Sequence, residues 1–458
     1  MKKLSFLVCG KLGSLCSSHR SRIKHVSSDG CTSEDDQCSS DKGMSEHVHD
    51  GCANGNHDQV DRISNLPASV LAHILSFLPI RDAVKTMQLR SFGSLWASID
   101  NLDLNLCLFH DCNRVVARDS DDFKFIDFVH QALLLHQKSH IHRLHLSLRG
   151  LLHVVQLSHA IPSDPCVHSQ ELLKRETDLA DMCIHFAMRK EVKILDLDFV
   201  ACDEEWLKHC TFLHKGRYRV SDCLFSCDSL QQLSLVYCRV VAPARQICMK
   251  SLQTLYLRHV YLDDSTVENL VSGCPLLENL SLIRCYGLQK LNFASPNLKY
   301  IKIFHHTSSG LEISGPNIKV LHLRSGLFRD FKLNNYSSAL YVTLGFCSAP
   351  LVDAKSYEEY QGVRTMLEQC KYAQALTIEA HFLKSLIFYE VKGLSYLSSS
   401  TYWKRLTLNT KLKAEMLPIL HNLLRMSPYL EILEIHPGAM WDEGGASVSF
   451  VGFRGHGG

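Results

Sequence analysis

Nucleophiles, general bases and metal ligands betray themselves by residue type and spacing, and the chain's 19 cysteines and 26 histidines are where such chemistry would lie. Near the N-terminus, Cys31, Cys38, His47, His49, Cys52 and His57 lack the regular pairs that close a zinc site. Cys107-Leu108-Phe109-His110-Asp111-Cys112 could suggest thiol chemistry. Without a second Cys/His pair at metal spacing it reads as a buried linker. Single histidines such as His259, His305 and His306, near expected strand ends, are either partner contacts or ordinary polar residues. Asp263-Asp264 reads as the start of a helix rather than a carboxylate pair for acid–base work. The chain carries no phosphate loop, no His-Glu-x-x-His, no nucleophile elbow and no dinucleotide glycine fingerprint after a strand. The expectation is therefore no enzyme, no catalytic residues, no metal and no cofactor, with the substrate-binding residues unknown.

Composition narrows what could position any site. At 458 residues and 51.8 kDa, the chain is too long for one ordinary compact domain. Apolar residues at 46% and charged residues at 21% give enough material to bury a core. A formal charge of +2 argues against a nucleic-acid coat or a polybasic membrane binder, so neither partner is expected. No apolar run approaches the length of a membrane span. The cysteines are odd in number, scattered, and never spaced Cys-x-x-Cys, which fits reduced thiols in the cytoplasm or nucleus.

Residues 1–28 hold Lys2, Lys3, Lys11, Arg20, Arg22 and Lys24 and no acid, a pattern open to a targeting peptide. Residues 29–60 invert the charge and are rich in Ser, Gly, Asp and Asn. Such a segment buries too little apolar area to offset its ordering entropy, so 1–60 is expected to be disordered. The Gly-rich stretch 437–458 is expected to be a flexible tail.

Between residues 61 and 105 the chain reads DRISNLPASVLAHILSFLPIRDAVKTMQLRSFGSLWASIDNLDLN. Pro67 suits the first turn of a helix. Val70, Leu71, Ile74, Leu75 and Leu78 follow at helical spacing, and Pro79 stops that helix. Ala83, Val84, Met87 and Leu89 mark a second segment, and Phe92, Leu95, Trp96 and Ile99 a third. About forty residues cannot bury all these side chains internally, so apolar surface is left for a partner or for a larger helical layer.

The order Leu66-Pro67, Val70-Leu71, Ile74-Leu75, Leu78-Pro79, Asp82-Ala83-Val84 and Leu95-Trp96 resembles the F-box of plant proteins across the whole segment. The stretch Leu89–Trp96 is one residue shorter than the usual form and has Phe92 where Trp is common. The resemblance implies docking on a Skp1-like linker, and through it on a cullin-based ubiquitin ligase (SCF). Carried over residue by residue, it implies Skp1 contacts at Leu66, Pro67, Val70, Leu71, Ile74, Leu75, Leu78, Pro79, Val84, Leu89, Phe92, Leu95 and Trp96.

A second pattern, L-x-x-L-x-L, recurs through the rest of the chain. It appears at Val192-Leu195-Leu197, Leu230-Leu233-Leu235, Leu252-Leu255-Leu257, Leu277-Leu280-Leu282, Leu298-Ile301-Ile303, Ile318-Leu321-Leu323 and Ala339-Val342-Leu344. Weaker copies stand at Ala373-Leu376-Ile378, Trp403-Leu406-Leu408 and Leu430-Leu433-Ile435, with an outlier at Ile141-Leu144-Leu146. The central copies follow one another at roughly 20–25 residues, the period of a leucine-rich repeat. Cys238, Cys285 and Cys347 fall where that template takes a small buried Asn or Cys. Alternation makes each copy a short strand with one buried face, and Asp263–Val271 a returning helix.

The phrase Ser272–Leu280 closely resembles the repeats of plant F-box/leucine-rich-repeat proteins. Leu423–Glu431 resembles the approach to that family's C-terminal FBD segment, which is expected to be absent or cut short after His436-Pro437. The expected fold is thus α/β: a disordered segment over 1–60, a three-helix F-box over 61–105, and a helical linker and solenoid cap over 106–190. A curved parallel-sheet solenoid with helices or loops outside follows over 191–436, then the tail. The resemblance implies a substrate-recruiting adaptor of a ubiquitin ligase whose repeats bind a target protein. The alternative is a repeat-based binding scaffold without ligase association.

Overall fold

The computed structural model describes residues 63–89, 91–109, 119–148, 167–199, 218–243, 246–305, 310–326, 330–336, 340–346, 357–391, 393, 395, 397–411 and 413–436. The expectations for 1–60, His110, Cys112, His306, Cys347 and 437–458 lie outside them.

Alternation in the L-x-L segments builds one parallel sheet of twelve strands. It begins with β1 (Asn101–Asn105), β2 (Arg143–Ser147), β3 (Ile194–Asp198), β4 (Gln232–Val236), β5 (Thr254–Arg258) and β6 (Asn279–Ile283). It continues after β7 (Lys290–Ala294) with β8 (Tyr300–His305), and after β9 (Gly310–Ser314) with β10 (Val320–Ser325). After β11 (Asp330–Asn334) come β12 (Tyr341–Phe346), β13 (Ala375–Glu379), β14 (Arg405–Asn409) and β15 (Ile432–Ile435). Neighbours pair without a register shift, so Leu233, Leu255, Leu280, Ile301 and Leu321 lie at one height. The two inward apolar positions of each strand from β1 to β14 are buried. Each such side chain contributes about 1.5–3 kcal/mol when removed from water. On β15 the covering is lost, and Leu433 is 39% exposed.

The sheet starts ninety residues ahead of the expected boundary at 191. Ile141-Leu144-Leu146 is an in-register strand rather than an outlier, and Ile99-Leu102-Leu104 supplies one before it. The helices foreseen in 106–190 exist, as Asp119–Leu135 and Val167–Arg189. They are the returns between β1, β2 and β3 and pack on each other, with Phe125, Val129, Leu133, Leu179 and Cys183 buried. The period hid these repeats: Leu102 to Leu144 is 42 residues and Leu144 to Leu195 is 51, far outside a 20–25 residue template.

In the middle of the array the return is a strand. β7, β9 and β11 pair in parallel as a second sheet, where helices or loops had been expected. From Leu280 to Ile301, Ile301 to Leu321 and Leu321 to Val342 the chain has only 21, 20 and 21 residues. Two five- or six-residue strands and their turns fill that length. Leu291, Phe293, Leu311, Ile313, Phe331 and Leu333 alternate inward and are buried.

One unit earlier, the 25 residues from Leu255 to Leu280 accommodate the expected helix, Asp264–Gly273. Asp263 is its N-cap, accepting from the Thr266 amide at 2.8 Å. The hydrogen bond from the Thr266 hydroxyl is the chief reason its carboxyl sits below the usual range. Asp264 accepts from the amides of Gln289 and Lys290, both at 2.9 Å, and so ties the helix to β7. Neither carboxylate is left for chemistry. Gly273 closes the helix where a Cβ would overlap the Ile247 carbonyl.

Past β4, β5 and β6 the chain turns through Tyr237, His259 and Arg284, all in the left-handed region at φ 60°, 54° and 49°. Cys238, Val260 and Cys285 follow and are buried one over another along the array. The Cys285 thiol donates to the Leu257 carbonyl at 3.5 Å. Val260 fills the equivalent place with no polar atom, so the position demands small volume first. His259 is buried beside Tyr286, with Nδ1 3.3 Å from its hydroxyl. Trp403 takes the first core position of its repeat, buried, its Nε1 donating to the Cys370 carbonyl at 2.9 Å.

Two measurements check this packing. Cys238, Cys285 and Cys370 should resist alkylation in the native state while exposed Cys248 reacts first; burial pushes the Cys370 thiol up to about 12, removing the thiolate at neutral pH. Cys285→Ser should cost about 1–3 kcal/mol in denaturant melts, and Asp263→Ala about 1 kcal/mol. Rapid labelling of all the buried thiols, with an unchanged melt for Cys285→Ser, would refute the register.

Candidate functional site

Two surfaces could meet partners: the helical module ahead of β1 and the solvent face of the twelve-stranded sheet. In the module, Pro67 opens helix α1 (Ala68–Leu75) as N-cap with φ −53° and ψ 144°. Its carbonyl takes the first helical bonds, from Val70 at 2.9 Å and Leu71 at 3.1 Å. Pro79 opens α2 (Ile80–Lys85) the same way, at φ −52° and ψ 140°. α1 has already ended at Leu75, so Pro79 starts the second helix rather than stopping the first. The third segment, expected as a helix, is instead a series of tight turns ending in a 3-10 turn over Leu95–Ser98. Ser91-Phe92-Gly93-Ser94 has weak helix formers, and Gly93 takes φ +31°.

Burial divides the candidate contact residues into two sets. Leu71, Leu75, Phe92 and Trp96 are buried with Ile80, Ala83 and Ile99 in the module's own core. Leu66 and Val70 are 37% and 41% exposed, and Pro67 is exposed. Ile74, Leu78, Pro79, Val84, Leu89 and Leu95 are half-buried at the margin. Sequence reasoning missed Phe77, 75% exposed, and Met87, 50% exposed. Phe77 stands four residues after His73, their rings 4.9 Å apart edge to face. A periodicity search for inward residues discards such a position, although an exposed Phe beside an amphipathic helix was the available signal. The module is fastened to the array by Arg81, whose guanidinium donates to the Phe109 carbonyl and lies 5.0 Å from the Phe109 ring centre.

On the sheet, residues between the core leucines point to solvent and form columns across the strands. At the N-terminal end the charged groups find partners on the face itself: His145 Nδ1 lies 2.7 Å from Asp103, and Arg143 2.7 Å from Asp196. Farther on come Tyr256, Ser281, Lys302, His322 and Thr343 at one height, and Arg258, Ile283, Phe304, Arg324 and Gly345 at the next. Lys302 Nζ is 4.6 Å from the Phe304 ring centre and the Arg324 guanidinium 5.9 Å from it. Arg324 reaches over β12 to Glu379 on β13 at 3.2 Å. Gly345 makes the crossing possible, because a Cβ there would overlap the Glu379 carboxylate.

Burial raises the Glu379 carboxyl pKa against the pull of Arg324. Burial first, then Arg324, lowers that of Lys302, and burial with Lys302 pushes His322 down to about 4. His322 is thus neutral at physiological pH.

Among the described residues, no group of three His, Cys, Asp or Glu side chains could hold a metal ion, and no helix is long and apolar enough to cross a membrane. Among the described residues, a thiol–imidazole contact joins Cys223 Sγ to His185 Nε2 at 3.9 Å, off the sheet face.

The family model described as FBD-associated F-box protein At5g56370, LRR repeats, matches residues 180–334, the span of β3 to β11. The F-box/LRR-repeat protein At3g03360 of Arabidopsis thaliana is 28% identical over 387 residues, covering 82% of this chain and 70% of the relative. The FBD-associated F-box protein At5g22730 of the same plant is 26% identical over 349 residues, covering 72% of this chain and 66% of the relative. The F-box/FBD/LRR-repeat protein At1g13570, also from Arabidopsis thaliana, is 30% identical over 243 residues, covering 53% and 48%. By its in-register repeats and by these alignments, which reach 82% of its length, the chain is a relative of the plant F-box/leucine-rich-repeat proteins.

Proposed function

We propose that the chain is a substrate-recruiting adaptor: the module at 61–105 docks on a Skp1-like linker and through it a cullin, while the sheet face holds a target protein for ubiquitination. The carrying observation is the apolar surface that the module leaves in water. Leu66, Val70 and Phe77 recur at spacings of four and seven along α1 and its exit, and Met87 follows α2. Buried Leu71, Leu75, Phe92 and Trp96 hold that surface in shape and act as positioning residues. Pro67, Ile74, Leu78, Pro79, Val84, Leu89 and Leu95 line its margin. The chain contributes no reacting group on this reading; it raises the target's effective concentration beside the transfer machinery. The work would be done in the cytoplasm or nucleus, where its free thiols stay reduced.

The unwound third segment favours the second reading, a repeat scaffold without ligase association. Capture on an immobilised Skp1-like protein separates the two. Leu66→Ala with Pro67→Ala, and separately Phe77→Ala, should each weaken capture about tenfold or more, as interface anchors do. Phe77→Ala should leave the melting temperature unchanged because its side chain already faces solvent. Full capture by both variants, or none by the unaltered chain, would leave the scaffold reading.

A further inference from the structure

We propose that the sheet face around Lys302 and Phe304 is the docking surface for an acidic segment of a protein partner, one carrying aspartate or glutamate beside aromatic side chains. The inference rests on the adaptor reading for its biological setting and names the chemistry of the target that the repeats would hold.

Charge on the solvent face of the sheet is unbalanced near its middle. Toward the N-terminal end, Asp103 meets His145 and Asp196 meets Arg143; on the last two strands, Arg405 meets Glu434 at 2.7 Å. In those parts of the face each of these carboxylates has a partner within the face. Between β8 and β13 the outward strand positions carry Lys302 and Arg324, and the single carboxylate among them is Glu379. Glu379 is committed to Arg324. Lys302 meets no carboxylate among the described residues; its ammonium rests on the Phe304 ring at 4.6 Å. His322, one strand away, is neutral at physiological pH and adds no positive charge of its own. A half-buried ammonium held by an aromatic quadrupole and repelled by a neighbouring guanidinium gains from an arriving carboxylate.

The surroundings fit a peptide chain. Zero-shift pairing sets the strands about 4.8 Å apart, so Lys302 and Arg324 stand on neighbouring strands one row apart, on a line that crosses the strands obliquely. Tyr256, Tyr300, Phe304 and Tyr341 stand among them, and Tyr300 lies 5.5 Å from the His322 ring. Aromatic residues and arginine together mark protein-binding faces. The Arg324–Glu379 bridge over Gly345 fixes one end of the line, so little side-chain freedom remains to be lost there on binding.

The test uses the full chain and a fluorescent random copolymer of glutamate and tyrosine, read by anisotropy. The unaltered chain should bind it, less tightly as sodium chloride is raised. Lys302→Glu should weaken binding about tenfold or more with an unchanged melting temperature. Lys250→Glu, on a remote exposed lysine that pairs with Asp228, should match the unaltered chain. No binding by the unaltered chain, equal binding by Lys302→Glu, or an equal loss in Lys250→Glu would overturn the proposal. So would displacement by inorganic phosphate at matched ionic strength, which would assign the patch to a phosphate-bearing ligand. Capture by a Skp1-like protein, measured on the same Lys302→Glu preparation, should be unchanged. Failed copolymer binding with intact capture would remove this inference alone, and failed capture with intact binding would remove the adaptor reading alone.

Discussion

A parallel strand in the middle of a sheet has to be paired along both edges while its inward side chains find aliphatic neighbours at the same height. From β2 to β14 the strands of the twelve-stranded sheet meet both demands with two inward residues each and no slip in register. The rest of the structure answers to that constraint. A shift by one residue would turn Leu and Ile outward and the polar column inward. The segment returning the chain is free to be a long helix, a short helix or a strand, provided it delivers the next strand at the right height. Asp264, bound to the amides at the start of β7, performs that delivery in one unit. The left-handed turns at Tyr237, His259 and Arg284 perform it in three consecutive ones.

The sequence makes the inward half of this arrangement legible and the outward half obscure. Leu-x-Leu alternation identifies strands because burial selects residue type. Ile99-Leu102-Leu104 escaped because Ile99 also completes a helical spacing with Phe92, Leu95 and Trp96. That spacing was satisfied by turns, since four apolar residues cluster equally well around a 3-10 turn. β7, β9 and β11 escaped because five alternating residues within a 20-residue unit look like loop beside the stronger strand. The bridge from Arg324 to Glu379 could not be read at all: its partners lie 55 residues apart, and only the register makes them neighbours across Gly345. Phe77 shows the same bias at the module, since outward residues follow no core rule.

The module itself serves two environments with one short helix. Leu71 and Leu75 face the protein, while Leu66, Val70 and Phe77 face away on the other side of α1. Its attachment to the array through Arg81 and Phe109 fixes the direction in which the outward side points. A surface of that kind gains selectivity from position as much as from composition: the same side chains on a freely tumbling peptide would bear no set relation to whatever the sheet holds.

The three central units, in which a strand runs along either side, carry a consequence for descent. Each is nearly the same length, each pairs without slippage, and each offers its neighbour the same inward aliphatic pair. Unequal crossing-over that removes or copies one such unit in frame would bring together two strands already suited to pair. The core would survive the recombination, whereas the spacing between outward columns on either side would jump by one strand. Point substitution alters what a column displays; gain or loss of a unit alters the distance between displays. A lineage built this way can diversify what it grips in whole-number steps without first passing through an unfolded ancestor.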